Sequence, residues 1–177
     1  MTNRTLWWAV LAAVTAVAAI CAAVYGVTTV TASTTIGQYA TVQKYQKQSI
    51  PNRLATVISW DTEHDDSLGA WTSSDPSHLK VTDTGLYLLT VQSAWTDCTC
   101  GYRSIHLQID GGGILSGMAI PAKWETGEVL AWEGRLQAGQ TLSVWVYQDS
   151  GQTLTWGGNV RKNNVSAGNE ITIVRLG

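Results

Sequence analysis

From Tyr102 to Ile109 apolar and polar positions alternate: Ile105, Leu107 and Ile109 fall on one side, Ser104, His106 and Gln108 on the other. That period of two predicts a strand with one buried and one wet face. Two further stretches keep the period but lose the wet face. In Gly85–Trp95, Tyr87, Leu89, Val91 and Trp95 share one side, and Leu86, Leu88, Thr90 and Ala94 the other. In Thr141–Gln148, Leu142, Val144 and Val146 oppose Trp145 and Tyr147. One face of each fills a core, and the other requires a second layer that the chain is too short to supply. Further strands are predicted at Leu54–Trp60, Leu79–Val81, Glu128–Leu136, around Leu154 and Trp156, and at Glu170–Leu176. Between them lie turn signals at Thr82–Gly85, Asp110–Gly113 and Ala138–Gln140. Short strands at this spacing, without helical period between them, mean an all-β sandwich or barrel.

The first 50 residues read differently. Leu6 to Val30 contains no charged residue, with Trp7 and Trp8 at one end and Tyr25 near the other. As a helix, about 25 residues span roughly 37 Å, enough to cross a bilayer with some tilt. A cleaved signal peptide is the alternative, with Ala16–Ala18 or Val30–Ala32 as the cleavage site, but its apolar core is ordinarily shorter, about 7–15 residues. Arg4 and the amino terminus precede the run closely, whereas Lys44 and Lys47 follow at a distance, which places the N-terminus in the cytoplasm and the remainder outside. Thr31 to Ile50 is polar, with Ile36, Tyr39, Val42 and Tyr45 spaced by three, and reads as a stalk or short helix. The expected organisation is an anchor or signal over residues 1–30, a stalk or linker over 31–53, and one β domain over 54–177.

Composition narrows the function. Lys and Arg number 11 against 13 Asp and Glu, so no basic surface recommends nucleic acid as a partner. Nine Trp and no Phe imply that tryptophan fills core sites; exposed rings at Trp71, Trp124 or Trp156 would instead be ligand platforms. The Asp61-Thr-Glu-His-Asp-Asp66 run is expected to be a solvated acidic loop, since it lacks the spacing of a calcium loop. Cys98 and Cys100 are too close for an easy internal disulfide and do not form a C-x-x-C pair. They remain disulfide candidates, within the chain or between subunits, with a structural role. His64, His78 and His106 sit in unrelated contexts, and His106 is expected to be exposed. Asn164-Val-Ser166 matches a glycosylation acceptor. No nucleophile, base and orienting group assemble from motifs in this chain, so neither catalysis nor a metal or other cofactor is expected.

Three stretches carry a family resemblance. They are Gly85-Leu-Tyr87, the run Leu136-Gln-Ala-Gly-Gln-Thr-Leu142 leading into Val144, Val146 and Gln148, and the closing Ile171–Gly177. Together they resemble the C1q/TNF-like jelly roll over roughly Leu54–Gly177, in the versions found in bacterial and phage surface proteins. Leu or Trp stands where that family usually has Phe. The resemblance implies a two-sheet jelly-roll sandwich that packs as a compact homotrimer, which would supply the missing layer. Tyr87, Trp145 and Tyr147 are the expected trimer-interface residues. The expected function is a non-enzymatic, membrane-anchored trimeric module that recognises a protein or glycan through its distal loops. A virion spike or tail protein, and a carbohydrate-binding module using its tryptophans, are the alternatives.

Overall fold

The computed structural model describes residues 37–95, 98–120, 126–158, 160–162, 165–167 and 169–177. The membrane-length segment Leu6–Val30, Trp124 and Asn164 lie outside the described residues. Among the described residues no helix is long and apolar enough to cross a membrane.

Fourteen strands are formed among the described residues: β1 Tyr39–Gln43, β2 Gln48–Ile50, β3 Thr56–Val57, β4 Thr62–Asp66, β5 Leu79–Lys80, β6 Gly85–Trp95, β7 Arg103–Ile109, β8 Gly112–Ala119, β9 Thr126–Leu136, β10 Thr141–Gln148, β11 Leu154–Trp156, β12 Val160–Lys162, β13 Val165–Ala167 and β14 Glu170–Arg175. One antiparallel sheet runs β4-β1-β14-β6-β9, and a second runs β3-β10-β7-β8 with β5 also paired to β10. Between them lies an all-β sandwich core. Ala40, Val42, Tyr87, Leu89, Val91, Ile171 and Ile173 come from the first sheet, and Ile105, Leu107, Leu142, Val144 and Val146 from the second. β11 pairs with β2 and brings Trp156 into this core beside Trp60, ring centroids 5.8 Å apart and edge to face.

Two boundaries differ from the sequence reading. Tyr39–Gln43, expected to belong to a stalk over residues 31–53, is instead β1, an interior strand of the first sheet. Ala40 and Val42 are buried, and every residue of β1 is paired to β14. The three-residue spacing of Tyr39, Val42 and Tyr45 belongs to no helix. Asp61–Asp66 is likewise not a free loop. Thr62–Asp66 is the edge strand β4, and its carboxylates serve the fold. Asp61 binds Lys44 Nζ at 2.7 Å and accepts the backbone N–H groups of Tyr45 and Gln46. Burial pushes the Asp61 pKa up, but these hydrogen bonds and the lysine charge outweigh it and leave the pKa lowered. Asp65 accepts the Tyr39 hydroxyl, and Asp66 accepts the N–H groups of Ala70 and Trp71.

The hairpin signal is realised as drawn. β7 and β8 join through Asp110 and Gly111, both at positive φ (48° and 77°), the conformation of a two-residue I′ turn. Asp110 then caps the neighbouring turn by accepting from Thr141 N and Gln140 Nε2, and the Thr141 hydrogen bond leads in holding its pKa down.

Candidate binding cleft and packing face

Strand register decides which side chains share a surface. Across the outward side of the second sheet, Trp145 stands opposite His106, and His106 opposite Ser116. One row along, Tyr147 stands opposite Ser104, and Ser104 opposite Met118. Tyr102, just before β7, has the parity of Ser104 and packs on Tyr147, ring centroids 5.5 Å apart and tilted by 31°. Tyr102, Ser104, His106, Ser116, Met118 and Tyr147, with Ala55 and Gly117, line an open cleft of about 430 Å³, and Trp145 stands outside that lining. Its floor is thin at Gly117, where a Cβ would sit 2.8 Å from Leu130 Cδ2.

The polar groups of the cleft form a short chain. Ser104 Oγ and His106 Nε2 are 3.0 Å apart. Trp145 Nε1 donates to Ser143 Oγ, which fixes the indole. The interaction with Tyr147 leads in raising the Tyr102 pKa. None of the cleft-lining residues carries a formal charge when His106 is neutral. His106, expected to be merely exposed, is half-buried here. Its neighbours across the sheet could be named only once β10, β7 and β8 were in register.

The outward side of the first sheet is built differently. Leu86, Leu88 and Thr90 of β6 are half-buried there. Val174 of β14 and Glu133 of β9 flank Leu88, and Arg135 stands opposite Leu86. Thr41, Thr172, Thr90 and Ala131 form the next row across four strands, and Val129, 70 % exposed, ends the row after it. The centre of this side is rich in apolar and small side chains, and Val129's row is otherwise polar, with Gln43, Glu170 and Gln92.

The residues expected to hold a trimer together do not share a surface. Tyr87 points into the sandwich, 1 % exposed, with its hydroxyl on the Asp83 carbonyl at 2.6 Å. It cannot line an axis, because the inward set of β6 is the Tyr87 set and the outward set is Leu86, Leu88 and Thr90. Burial leads in raising the Tyr87 pKa. Trp145 and Tyr147 are outward, as expected, but on the other sheet.

Of the tryptophans proposed as platforms, Trp156 is fully buried and donates Nε1 to Ser93 Oγ at 2.9 Å, which corrects its assignment to a ligand surface. Trp71 is half-buried against the core, its indole N–H on the Pro76 carbonyl. Cys98 and Cys100, the disulfide candidates of the sequence, form a bridge within the chain despite their close spacing. The tight loop they close wraps a buried guanidinium: Arg103 donates to the carbonyls of Cys98, Cys100 and Tyr102 and stacks over the Trp95 ring, 5.4 Å from its centroid. Near Trp95, Glu128 points inward from β9, its carboxylate without a hydrogen bond among the described residues. Burial pushes the Glu128 pKa up to about 7, against the opposing pull of the Trp95 indole and the Arg103 charge. His64 is exposed, and His78 pairs with Asp75 at 2.8 Å. Among the described residues no three His, Cys, Asp or Glu side chains group as metal ligands.

No family model matches this chain, and no curated protein does. Among solved structures it is similar to one described as "Structure of Eiger TNF from S. frugiperda", with a TM-score of 0.58 and 15 % identity, over 80 % of this chain and 93 % of that one. The sandwich is a C1q/TNF-like jelly roll.

Proposed function

We propose that this chain is a non-enzymatic recognition head that works as a homotrimer, held outside the cytoplasm by Leu6–Val30. The observation that carries the reading is the outward side of β6. A strand at the outside of an isolated sandwich alternates apolar with polar. Here Leu86 and Leu88 stand outward beside Val174, in a sheet whose other face is already filled. Such a patch on a lone subunit is an association surface. The packing partner is a second and third copy of the same face, and the TNF-like fold supports that arrangement. Glu133 and Arg135, adjacent outward positions on β9, stand beside these leucines and supply a polar border for the contact.

Trimerisation triples every site on the head, so weak contacts gain avidity. Sedimentation velocity of the full chain in detergent tests the assembly, with a trimer expected and a monomer fatal to this reading. Membrane attachment is tested separately. Carbonate washing of cells making the full chain should leave it with the membranes, and recovery of a soluble chain beginning near Ser33 would show a cleaved signal instead.

A further inference from the structure

The cleft on the second sheet lies on the side of the sandwich away from the proposed packing face, and its chemistry is selective. Tyr102, just before β7, and Tyr147 of β10 present two packed rings tilted by 31°, with Trp145 in the next row. Beside them are groups that both give and take hydrogen bonds: the Ser104 and Ser116 hydroxyls and the His106 imidazole. Ser104 already occupies His106 Nε2, while His106 Nδ1 and the Ser116 hydroxyl have no hydrogen-bond partner among the described residues. No lining residue is an acid, a lysine or an arginine. Asp149 and Arg53 both lie near Tyr102 outside the lining, and Asp149 Oδ1 is occupied by the Tyr102 backbone N–H at 2.7 Å. The volume, about 430 Å³, falls within the ~300–1,000 Å³ of small-molecule sites.

We propose that this cleft binds a neutral saccharide. One pyranose ring lays its C–H face on the Tyr102–Tyr147 pair, and its hydroxyls bond to Ser116 and His106. The fit follows from the pairing of chemistries. A sugar has one apolar face and a rim of groups that are each donor and acceptor, which matches aromatic rings beside serines and a histidine. A phosphate, sulfate or carboxylate would find no cation among the lining residues to neutralise it. The three tryptophans considered from the sequence are not needed, since the platform is a pair of tyrosines brought together by the start of β7 and the end of β10. The proposal rests on the reading of the chain as a recognition head, and it is separable from the trimer.

The test uses the full chain in a detergent without a sugar headgroup, applied to an array of neutral hexose- and N-acetylhexosamine-terminated oligosaccharides alongside sialylated and sulfated ones. The strongest neutral ligand is then titrated by calorimetry. Tyr147→Ala should weaken binding at least tenfold, Tyr147→Phe less than threefold, and Ser116→Ala three- to tenfold. Tyr45→Ala, an exposed tyrosine away from the cleft, should leave the affinity unchanged. Near-UV circular dichroism of each variant must match wild type, and the loss expected of Ser116→Ala preserves the test if Tyr147→Ala does not fold. Binding only to acidic glycans, binding to no glycan, or equal losses for Tyr45→Ala and Tyr147→Ala would each overturn the assignment. A wild-type monomer that still binds the neutral sugar with the same dependence on Tyr147 would remove the trimer and leave the cleft standing.

Discussion

The two outward sides of this sandwich come from strands that look alike in the sequence, yet they present different surfaces. The β14-β6-β9 side offers Leu86, Leu88, Val174, Ala131 and Val129. The β10-β7-β8 side offers Tyr147, His106 and Ser116 around an open cleft, with Trp145 beside it. The difference lies in where large rings stand relative to small residues. On the second sheet Gly117 and Ser116 sit low beside tall aromatics, so the surface is indented. On the first sheet one outward row, Thr41, Thr172, Thr90 and Ala131, is made of small side chains, and the row beside it joins Val174 and Leu88 to Glu133. Small and apolar side chains suit contact with another sheet, and an indentation suits a small ligand.

A charge placed on the β14-β6-β9 side gives the largest effect. Leu88→Asp would bring three carboxylates together with no partner charge, and an unpaired buried charge is costly enough to prevent association. The variant should sediment as a monomer or aggregate while wild type is a trimer. Tyr147→Asp and His106→Asp, on the indented side, should leave the sedimentation coefficient unchanged. A trimer that survives Leu88→Asp but is lost with Tyr147→Asp would exchange the roles of the two sides.

Next in size is a substitution between the two sides. Trp156 is fully buried, stacks against Trp60 and donates to Ser93. Trp156→Ala should lower unfolding free energy by about 3–5 kcal/mol, measured by denaturant titration. Tyr147→Ala, which removes a half-buried outward ring, should cost about 1 kcal/mol or less. Comparable losses for the two would mean that the Tyr102–Tyr147 pair is part of the core and not a platform on its surface.

Alternation made the strand partners legible but not the direction of the fold's interior. In β7 the polar side of Ser104, His106 and Gln108 announces itself, and the inward set is read correctly. In β6 both sides are apolar, so nothing in the sequence says that Tyr87 is inside and Leu88 outside. The choice is made by pairing, since Tyr87 shares its side with Leu89 and Val91, which meet Ile171 and Ile173 in the core. The jelly roll was legible from Gly85-Leu-Tyr87 and the turn before Thr141, because glycines and strand spacing are local. The cleft was not, because its tyrosines are 45 positions apart and meet only through the β7–β10 register. β1 was missed for a third reason. Its interior residues, Ala40 and Val42, are few and small, and its flanks are Thr and Gln, which read as a polar stalk until Lys44 is seen to be buried against Asp61.

The disulfide lies in the connection between β6 of one sheet and β7 of the other. Replacing Cys98 and Cys100 by serine frees the loop whose carbonyls hold Arg103. Loop closure over so short a span is worth about 1–2 kcal/mol, and the double variant should lose that much in denaturant titration. Oligomer size by sedimentation should not change. Loss of the trimer in the double variant would give the bridge a role in assembly.

The smallest effect is a pH dependence, and it tests whether the two sides report to each other through the edge they share. Glu128 points inward from β9, and its Oε1 is 3.5 Å from where a Cβ on Gly117, in the cleft floor, would sit. Val129, the next residue, stands on the opposite outward side. Burial raises the Glu128 pKa to about 7 from an ordinary 4.5. Between those values the folded chain holds a proton that the unfolded chain has released, so folding is favoured as pH falls. Stability from this group is therefore fully present below about pH 4.5 and is lost as pH rises through about 7. Discounted for the relaxation and water entry that ease a buried charge, the gain from pH 8 to pH 5 is about 1–2 kcal/mol. Asp61, whose pKa is lowered, acts in the opposite sense only at more acidic pH and leaves this window clear. Urea titrations at pH 5, 6, 7 and 8, at one fixed protein concentration because assembly adds to apparent stability, should show the slope in wild type. Glu128→Gln should flatten it and be the more stable protein at pH 8. If the slope persists in the glutamine variant, Glu128 is not its source. If it disappears while sugar affinity and trimer size stay constant from pH 5 to 8, the ionisation is confined to the edge, and the two sides work independently.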